Sequence, residues 1–206
     1  MPVAINAESK FVELVRSWLV SLPHDLKIAF DAMDDENLPR QVRELATSVV
    51  IYVVSPHDAA TGDRNDTILS FADDALLLRL ALHKGIGSGE DEQTFKDRYP
   101  ELFDDLADNL ALCKSVMGDL MTWLEGKVGA LKTRDYKGKK LATYLDNEEN
   151  RETLFDDGAV FRTDYPVDET TIGDKLKKAS TILEALKRRQ AEEARAKGKP
   201  AAHLHS

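Results

Sequence analysis

The 206-residue chain has a single cysteine, Cys113, and no long apolar run. One cysteine excludes an intrachain disulfide and a cysteine-rich zinc cluster, and it is typical of a reducing compartment. The best apolar stretch, Leu45 to Val54, is too short to span a bilayer and is interrupted by Thr47, Ser48 and Tyr52. The first residues lack the pattern of a signal peptide. We therefore expect a cytoplasmic protein with no transmembrane segment.

Basic residues are too few to balance the acidic ones, since 28 Lys and Arg stand against 37 Asp and Glu, a net charge of -9. This excess argues against general binding to duplex DNA, whose phosphates would repel most of the surface. The charge is uneven, however. Residues 175–206 hold nine basic and three acidic side chains, and the segment from Lys127 to Lys140 holds six basic side chains and one acidic, Asp135. Contact with nucleic acid or an anionic membrane is not favoured, but these two segments leave it open.

Helical spacing of apolar residues runs through most of the chain and predicts an all-α protein. We expect one domain over residues 1–190, a bundle of about six to seven helices, followed by a disordered basic tail at 191–206. The first helix is predicted from Glu8 to Leu22 and should stop at Pro23. A shorter helix is expected at residues 24–35, and a third from Pro39 to Val54 with a buried, β-branched end.

Two further helices carry heptad seams, which predict lengthwise packing against partner helices. The longer is predicted at about residues 100–128, opening at Pro100. The second is the C-terminal helix at about 169–190, which has the apolar positions Ile172, Leu176, Ala179, Leu183 and Leu186. Residues 132–166 are the hardest to interpret, with a short helix predicted around Leu141 to Leu145 and an extended piece from Thr153 to Tyr165.

The helix predicted from Thr67 to Lys84 is apolar nearly all the way round, as expected for a helix buried in a bundle. Asp73 and Asp74 nevertheless lie in its second turn. Burying two adjacent carboxylates costs several kcal/mol each, about 3–5 for an uncompensated charge, unless each is paired, hydrogen-bonded or metal-bound. The partners to expect are Arg64, backbone N–H groups of the preceding turn, a basic residue from elsewhere in the chain, or a bound cation.

The segment before this helix contains a helix-capping pattern. Ser55 can cap a helix start, Pro56 suits the first helical position, and Asp58 falls where a carboxylate can accept from exposed backbone N–H groups. Ordinary helix-end chemistry therefore accounts for Asp58 but not for Asp73 and Asp74.

Together these residues form the order Tyr52-x-x-Ser55-Pro56-x-Asp58, then a turn, then an apolar helix with Asp73-Asp74. This order resembles the YkvA-like domain family, a small helical domain found mostly in bacteria, whose function is not established. The resemblance covers about residues 42–82. It departs from the family pattern where no proline follows Asp58 and where Ser70 replaces a glycine. It implies a helical hairpin at about 42–84 with Asp58, Asp73 and Asp74 at one end.

Three clustered carboxylates raise one another's pKa values unless a cation lies between them. Oxygen ligands suit Mg²⁺, Ca²⁺ or Mn²⁺, and His57 is a possible extra ligand to Asp58, Asp73 and Asp74. A structural role, with Asp58 as a cap and the pair bonded to nearby Arg or Lys, explains the same residues without metal. A surface for docking a partner is the third alternative.

No complete catalytic constellation is present in the sequence, so no catalytic residue is assigned. The two apolar seams and the opposed charges of body and tail favour a non-enzymatic interaction or regulatory module that binds a protein partner or forms a homo-oligomer. The alternative is a divalent-cation-binding module or metal-dependent hydrolase that uses the clustered aspartates.

Overall fold

The computed structural model describes residues 6–55, 68–85 and 90–198. Within these ranges the chain forms ten α-helices and no β-strand, which confirms the predicted all-α class with more helices than expected. The helices are α1 (Ala7–Asp34), α2 (Arg40–Val54), α3 (Ala72–Gly85), α4 (Glu90–Arg98), α5 (Leu106–Met117), α6 (Asp119–Leu131), α7 (Leu141–Asp146), α8 (Glu148–Asp164), α9 (Glu169–Lys175) and α10 (Ala179–Gly198). Single turns of 3-10 helix lie at Leu69–Phe71 and Pro100–Leu102.

Helix α3 lies at the centre of the bundle. Every residue from Ala72 to Leu82 is buried, as the all-round apolar pattern of this helix predicts. It packs against α1, α2, α5, α6 and α10. Helix α2 is buried along the β-branched end that leads to Val54, so the prediction of a buried helix rather than a strand is confirmed.

The prediction that Pro23 ends the first helix is wrong. Helix α1 continues through Pro23 to Asp34 as one helix of 28 residues. Proline has no backbone N–H, so the carbonyl of Leu19, four residues earlier, loses its helical donor. The hydroxyl of Tyr165 donates a 2.7 Å hydrogen bond to that carbonyl instead. A contact from the far end of the chain thus compensates for the proline.

The single long helix predicted at 100–128 is also wrong, because the chain bends twice there. After the 3-10 turn at Pro100–Leu102, α5 runs to Met117 and α6 starts at Asp119. Gly118, between them, has a φ of 55° and a ψ of -123°, a conformation that residues with a side chain rarely adopt. The predicted seam still faces the core, since Leu110, Cys113 and Leu124 are buried.

The C-terminal helix predicted at 169–190 is divided as well, into α9 and α10, with residues 176–178 outside either helix. Helix α10 continues to Gly198, so residues 191–198 are helical and not a disordered tail. The predicted disorder of residues 199–206 lies outside the described residues.

Residues 132–166 contain both a confirmed and a wrong prediction. The short helix expected around Leu141 to Leu145 is α7, but the piece expected to be extended is the helix α8. Asn147 caps α8 by accepting a hydrogen bond from the N–H of Asn150. Helix α8 crosses α1 so closely that a Cβ atom on Gly158 would lie 2.2 Å from the Phe30 ring. This helix was missed because its buried face is narrow.

Candidate functional site around Asp73

Asp73 and Asp74 occupy the first turn of α3, and both are buried. Their exposed fractions are 2% and 0%. Carboxylates at a helix N-terminus interact favourably with the backbone N–H groups there, which offsets part of the cost of burial. The rest of this cost must be offset by side chains on neighbouring helices, and such side chains surround Asp73.

Three helices bring polar groups to the Oδ2 atom of Asp73. From α2, Tyr52 Oη donates a 2.7 Å hydrogen bond. From α6, Lys127 Nζ donates at 3.2 Å, and from α10, Arg189 Nε forms an ion pair at 3.6 Å. Glu193 extends this group, because its carboxylate accepts from Lys127 at 2.6 Å. We call these five residues, Tyr52, Asp73, Lys127, Arg189 and Glu193, the Asp73 cluster.

Aromatic rings surround the ammonium group of Lys127. Its Nζ lies 4.8 Å from the centre of the Tyr52 ring and 4.6 Å from that of Trp123. Both distances are within the range of cation–π attraction. Arg134 also lies over Tyr52, with its guanidinium carbon 5.2 Å from the ring centre. Lys127 is therefore held by two carboxylates and two rings at once.

The charges of the Asp73 cluster shift the protonation of its members. Burial raises the pKa of Tyr52, and the negative charges of Asp73 and Asp74 raise it further, so the phenol remains a donor at physiological pH. Burial alone would lower the pKa of Arg189, but Asp73, Glu193 and Asp74 raise it by more. The cluster therefore holds a neutral phenol and two cations against its carboxylates.

A second buried pair is not predicted from the sequence, where α3 is treated as apolar apart from Asp73 and Asp74. Arg79 of α3 and Asp25 of α1 form an ion pair of 2.7 Å, with both side chains less than a tenth exposed. Arg79 also donates to the carbonyls of Glu101 and Leu102, at 3.2 and 3.1 Å. Ser21 donates to Asp25 at 2.9 Å. Charged residues on apolar helix faces were the signal that singled out Asp73, and the same signal marks Arg79 and Asp25.

The predicted cation site is only partly within the described residues. Asp73 and Asp74 are brought together, whereas Asp58 and His57 lie outside the ranges that the structure describes. Among the described residues, no group of three His, Cys, Asp or Glu side chains is arranged to hold a metal ion. Of the expected partners for Asp73, Arg64 lies outside the described residues, and within them basic residues from elsewhere in the chain contact this carboxylate. Binding of Mg²⁺, Ca²⁺ or Mn²⁺ stays a prediction.

Several basic side chains of the segment from Lys127 to Lys140 are paired with acidic groups of the same chain. Lys137 pairs with Asp157 at 2.7 Å, and Lys140 pairs with Asp135 at 2.9 Å. Lys139 contacts the side-chain oxygen of Asn150. Much of the positive charge of this segment is therefore neutralised locally, which weakens its attraction for a nucleic acid or an anionic membrane.

Comparison with known proteins gives no match to a family model, a curated protein or a solved structure. The resemblance to the YkvA-like domain family thus stays a prediction. The hairpin it implies corresponds to α2 and α3, which pack against each other. No helix within the described ranges is long and apolar enough to cross a membrane.

Proposed function

We propose that this protein is a non-enzymatic interaction module in which α10 docks reversibly on its own bundle. The observation that carries the proposal is a change in the character of α10 at Leu186. Up to that residue the helix buries Ala179, Ile182 and Leu186. From Lys187 to Arg195, no side chain is buried. The second half of α10 is attached through Arg189 and Glu193 of the Asp73 cluster.

Such an attachment is suited to reversible opening. When Arg189 leaves the buried Asp73, Lys127 continues to neutralise that carboxylate. The side chains of Arg189 and Glu193 are each about a quarter exposed, and ion pairs between such partly exposed groups contribute little net stability. They are also weakened by salt. A helix end without buried apolar contacts opens at a lower free energy than the core. We therefore expect residues 187–195 to open first, and the buried residues Ala179, Ile182 and Leu186 to follow in the rarer state in which the whole of α10 undocks.

The surface beneath α10 fits an amphipathic helix of defined chemistry. Helix α10 packs against α1, α3 and α6, and its departure uncovers apolar contacts next to the carboxylate of Asp73. A helix with an apolar seam followed by an arginine one turn later matches both features. This is recognition of a helix in a groove, with charge complementarity adding specificity.

A synthetic peptide of residues 179–198, added to the full-length protein, tests the proposal. We expect saturable binding in fluorescence anisotropy, because the peptide competes with the protein's own α10. Arg189→Gln in the protein should strengthen peptide binding by increasing the fraction of molecules with a vacant groove. Arg189→Gln in the peptide should weaken it.

The matched control is Lys187→Gln, which removes a cation from an exposed position on the same helix. It should leave peptide binding unchanged in either partner. The proposal fails if the peptide binds neither the wild type nor the Arg189→Gln protein. Hydrogen exchange must agree, and exchange of residues 187–195 only through global unfolding would also contradict reversible docking.

A divalent-cation-binding module or metal-dependent hydrolase remains the second candidate. It is supported by two adjacent buried carboxylates, Asp73 and Asp74, at the start of α3. It also requires ligands such as Asp58 and His57. The presence of Lys127 and Arg189 beside Asp73 favours the interaction module, because their positive charges already neutralise that carboxylate.

A further inference from the structure

Helices α9 and α10 are separated by residues 176–178, whose sequence is Leu-Lys-Lys. Leu176 has a φ of -118° and a ψ of 78°, which ends α9. Leucine and lysine are good helix formers, and no proline or glycine lies among the three residues. The break is thus not explained by local sequence. By contrast, the break between α5 and α6 lies at Gly118, which has a positive φ.

The apolar pattern continues across the break. Ile172, Leu176, Ala179, Leu183 and Leu186 follow one another at spacings of four and three residues, as on a single helix. In the structure, Leu176 is completely buried and the chain turns after it so that α10 returns to the bundle. Tertiary contacts of α10 therefore maintain a bend that the local sequence opposes.

Once α10 leaves its groove, the contacts that maintain the bend are lost. The chain can then form one helix from Glu169 to Gly198, about 45 Å long at 1.5 Å per residue. A straight helix directs α10 away from its own groove. The groove of a second copy has the same shape and the same Asp73 cluster, so it can accept this helix with all of its native contacts.

We propose that two copies of this protein exchange α10, each through a continuous α9–α10 helix. In the exchanged dimer, Arg189 and Glu193 of one copy would complete the cluster around Asp73 and Lys127 of the other. The contacts are the same as in the monomer. The free energy that favours the dimer therefore comes from relieving the bend at residues 176–178. This inference rests on the proposed function, since α10 must first undock.

The substitution Lys178→Pro tests the inference at an exposed position directly before α10. Lys178 directly precedes α10, the place that Pro39 takes before α2, where the backbone N–H is not part of the helical hydrogen-bond pattern. In a continuous helix, however, a proline at this position removes a hydrogen bond and clashes with the preceding turn. We expect the wild type to dimerise as its concentration rises, and Lys178→Pro to weaken dimerisation by at least about a hundredfold. Lys178→Ala removes the same charge without the proline and should preserve the dimer.

Analytical ultracentrifugation of the wild type, Lys178→Pro and Lys178→Ala measures the monomer–dimer equilibrium of each. The proteins are first incubated long enough for α10 to exchange. An excess of the peptide of residues 179–198 should prevent the wild-type dimer from forming. The inference is overturned if the wild type stays monomeric at all concentrations, or if Lys178→Pro dimerises as well as Lys178→Ala. If the peptide binds although one of these two results is found, the exchange of α10 is excluded and the proposed function still stands. If the peptide does not bind, both proposals fail.

Discussion

The Asp25–Arg79 pair and the Asp73 cluster are two solutions to the same problem, a buried aspartate in a helical bundle. Each aspartate accepts a hydroxyl hydrogen bond, from Ser21 and Tyr52 respectively. Each also faces a guanidinium group. Asp25 receives its cation from α3, the central helix, whereas Asp73 receives two cations, from α6 and from the C-terminal helix α10.

This difference in origin separates a fixed contact from one that can exchange under the proposed function. Arg79 is held by two backbone carbonyls in addition to Asp25, so it cannot leave without stranding several buried polar groups. Arg189 can leave while Lys127 continues to neutralise Asp73. Burial of an ion pair therefore does not by itself reveal its role. Under the proposed function, its role depends on whether the helix that supplies the cation can undock.

The largest expected effect is that of Arg79→Met, which leaves Asp25 buried without its cation. We expect the free energy of unfolding to fall by about 3–5 kcal/mol, as for other broken buried pairs. Urea denaturation measures the loss. The double variant Asp25→Asn/Arg79→Met should recover part of it, because no uncompensated charge remains. A loss below about 1 kcal/mol would mean that the pair is not desolvated as described.

Tyr52→Phe is the corresponding test of the Asp73 cluster. It removes a hydrogen bond to a buried carboxylate, for which a loss of about 1.5–3 kcal/mol in unfolding free energy is typical. Ser21→Ala, which removes the hydroxyl donor of Asp25, is its counterpart. We expect the smaller loss for Ser21→Ala, because Ser21 is only half-buried and Arg79 remains in place. Equal losses would show that the two clusters are equally shielded from water.

The pH dependence of stability should distinguish Asp25 from an ordinary surface aspartate. Burial raises the pKa of Asp25 above its usual 3.8, and Arg79 reverses this only in part. The stability that the bound proton contributes is thus complete below pH 3.8 and is lost as the pH rises through the folded-state pKa. Asp25→Asn lacks this dependence. In urea titrations from about pH 3 to 7, the stability of the wild type relative to Asp25→Asn should fall with rising pH, and a rise would contradict the assignment.

Arg189→Gln should have a small global effect, of less than about 1 kcal/mol, since Arg189 is partly exposed and Lys127 continues to neutralise Asp73. Its local effect should be larger, with faster hydrogen exchange in residues 187–195. Cys113 reports on the body at the same time, because burial raises the pKa of its thiol to about 12 and blocks labelling. We expect thiol labelling to stay as slow as in the wild type. Faster labelling of Cys113 would mean that α10 and the body open together.

Divalent cations should have the smallest effect. With Lys127 and Arg189 beside Asp73, we expect the same thermal unfolding in EDTA as in excess Mg²⁺, Ca²⁺ or Mn²⁺. A true site would add about 2.7 kcal/mol at one hundred times the dissociation constant. A shift of that size in the wild type that disappears in Asp73→Asn/Asp74→Asn would establish the cation site instead.

Features with a local physical cause were predictable from the sequence. The apolar surface of α3 predicts a central helix, and the cost of burying Asp73 and Asp74 predicts that these carboxylates have partners. Which partners these are, Lys127 and Arg189, depends on how distant helices pack and cannot be read locally. Arg79 lies on the same helix and is also a charged residue among apolar neighbours, so the same cost of burial predicts a partner for it.

Two of the wrong predictions share a cause, which is that packing overrode a local rule. Pro23 should end a helix, and does not because Tyr165 compensates for it. Residues 176–178 should continue a helix, and do not because α10 packs back on the bundle. Gly118 is the opposite case. A glycine permits the break between α5 and α6, but the heptad pattern runs across it and led to the prediction of one continuous helix. The prediction for Asp58 and His57 falls outside the described residues.

The bond from Tyr165 to the carbonyl of Leu19 joins residues 146 positions apart. During synthesis at about 5–20 residues per second, Leu19 emerges roughly 7–30 s before Tyr165. Throughout that interval the carbonyl freed by Pro23 has only water to accept from. The first helix can thus reach its final state only after Tyr165 has been synthesised, so a nascent chain stalled before Tyr165 would hold an incomplete α1.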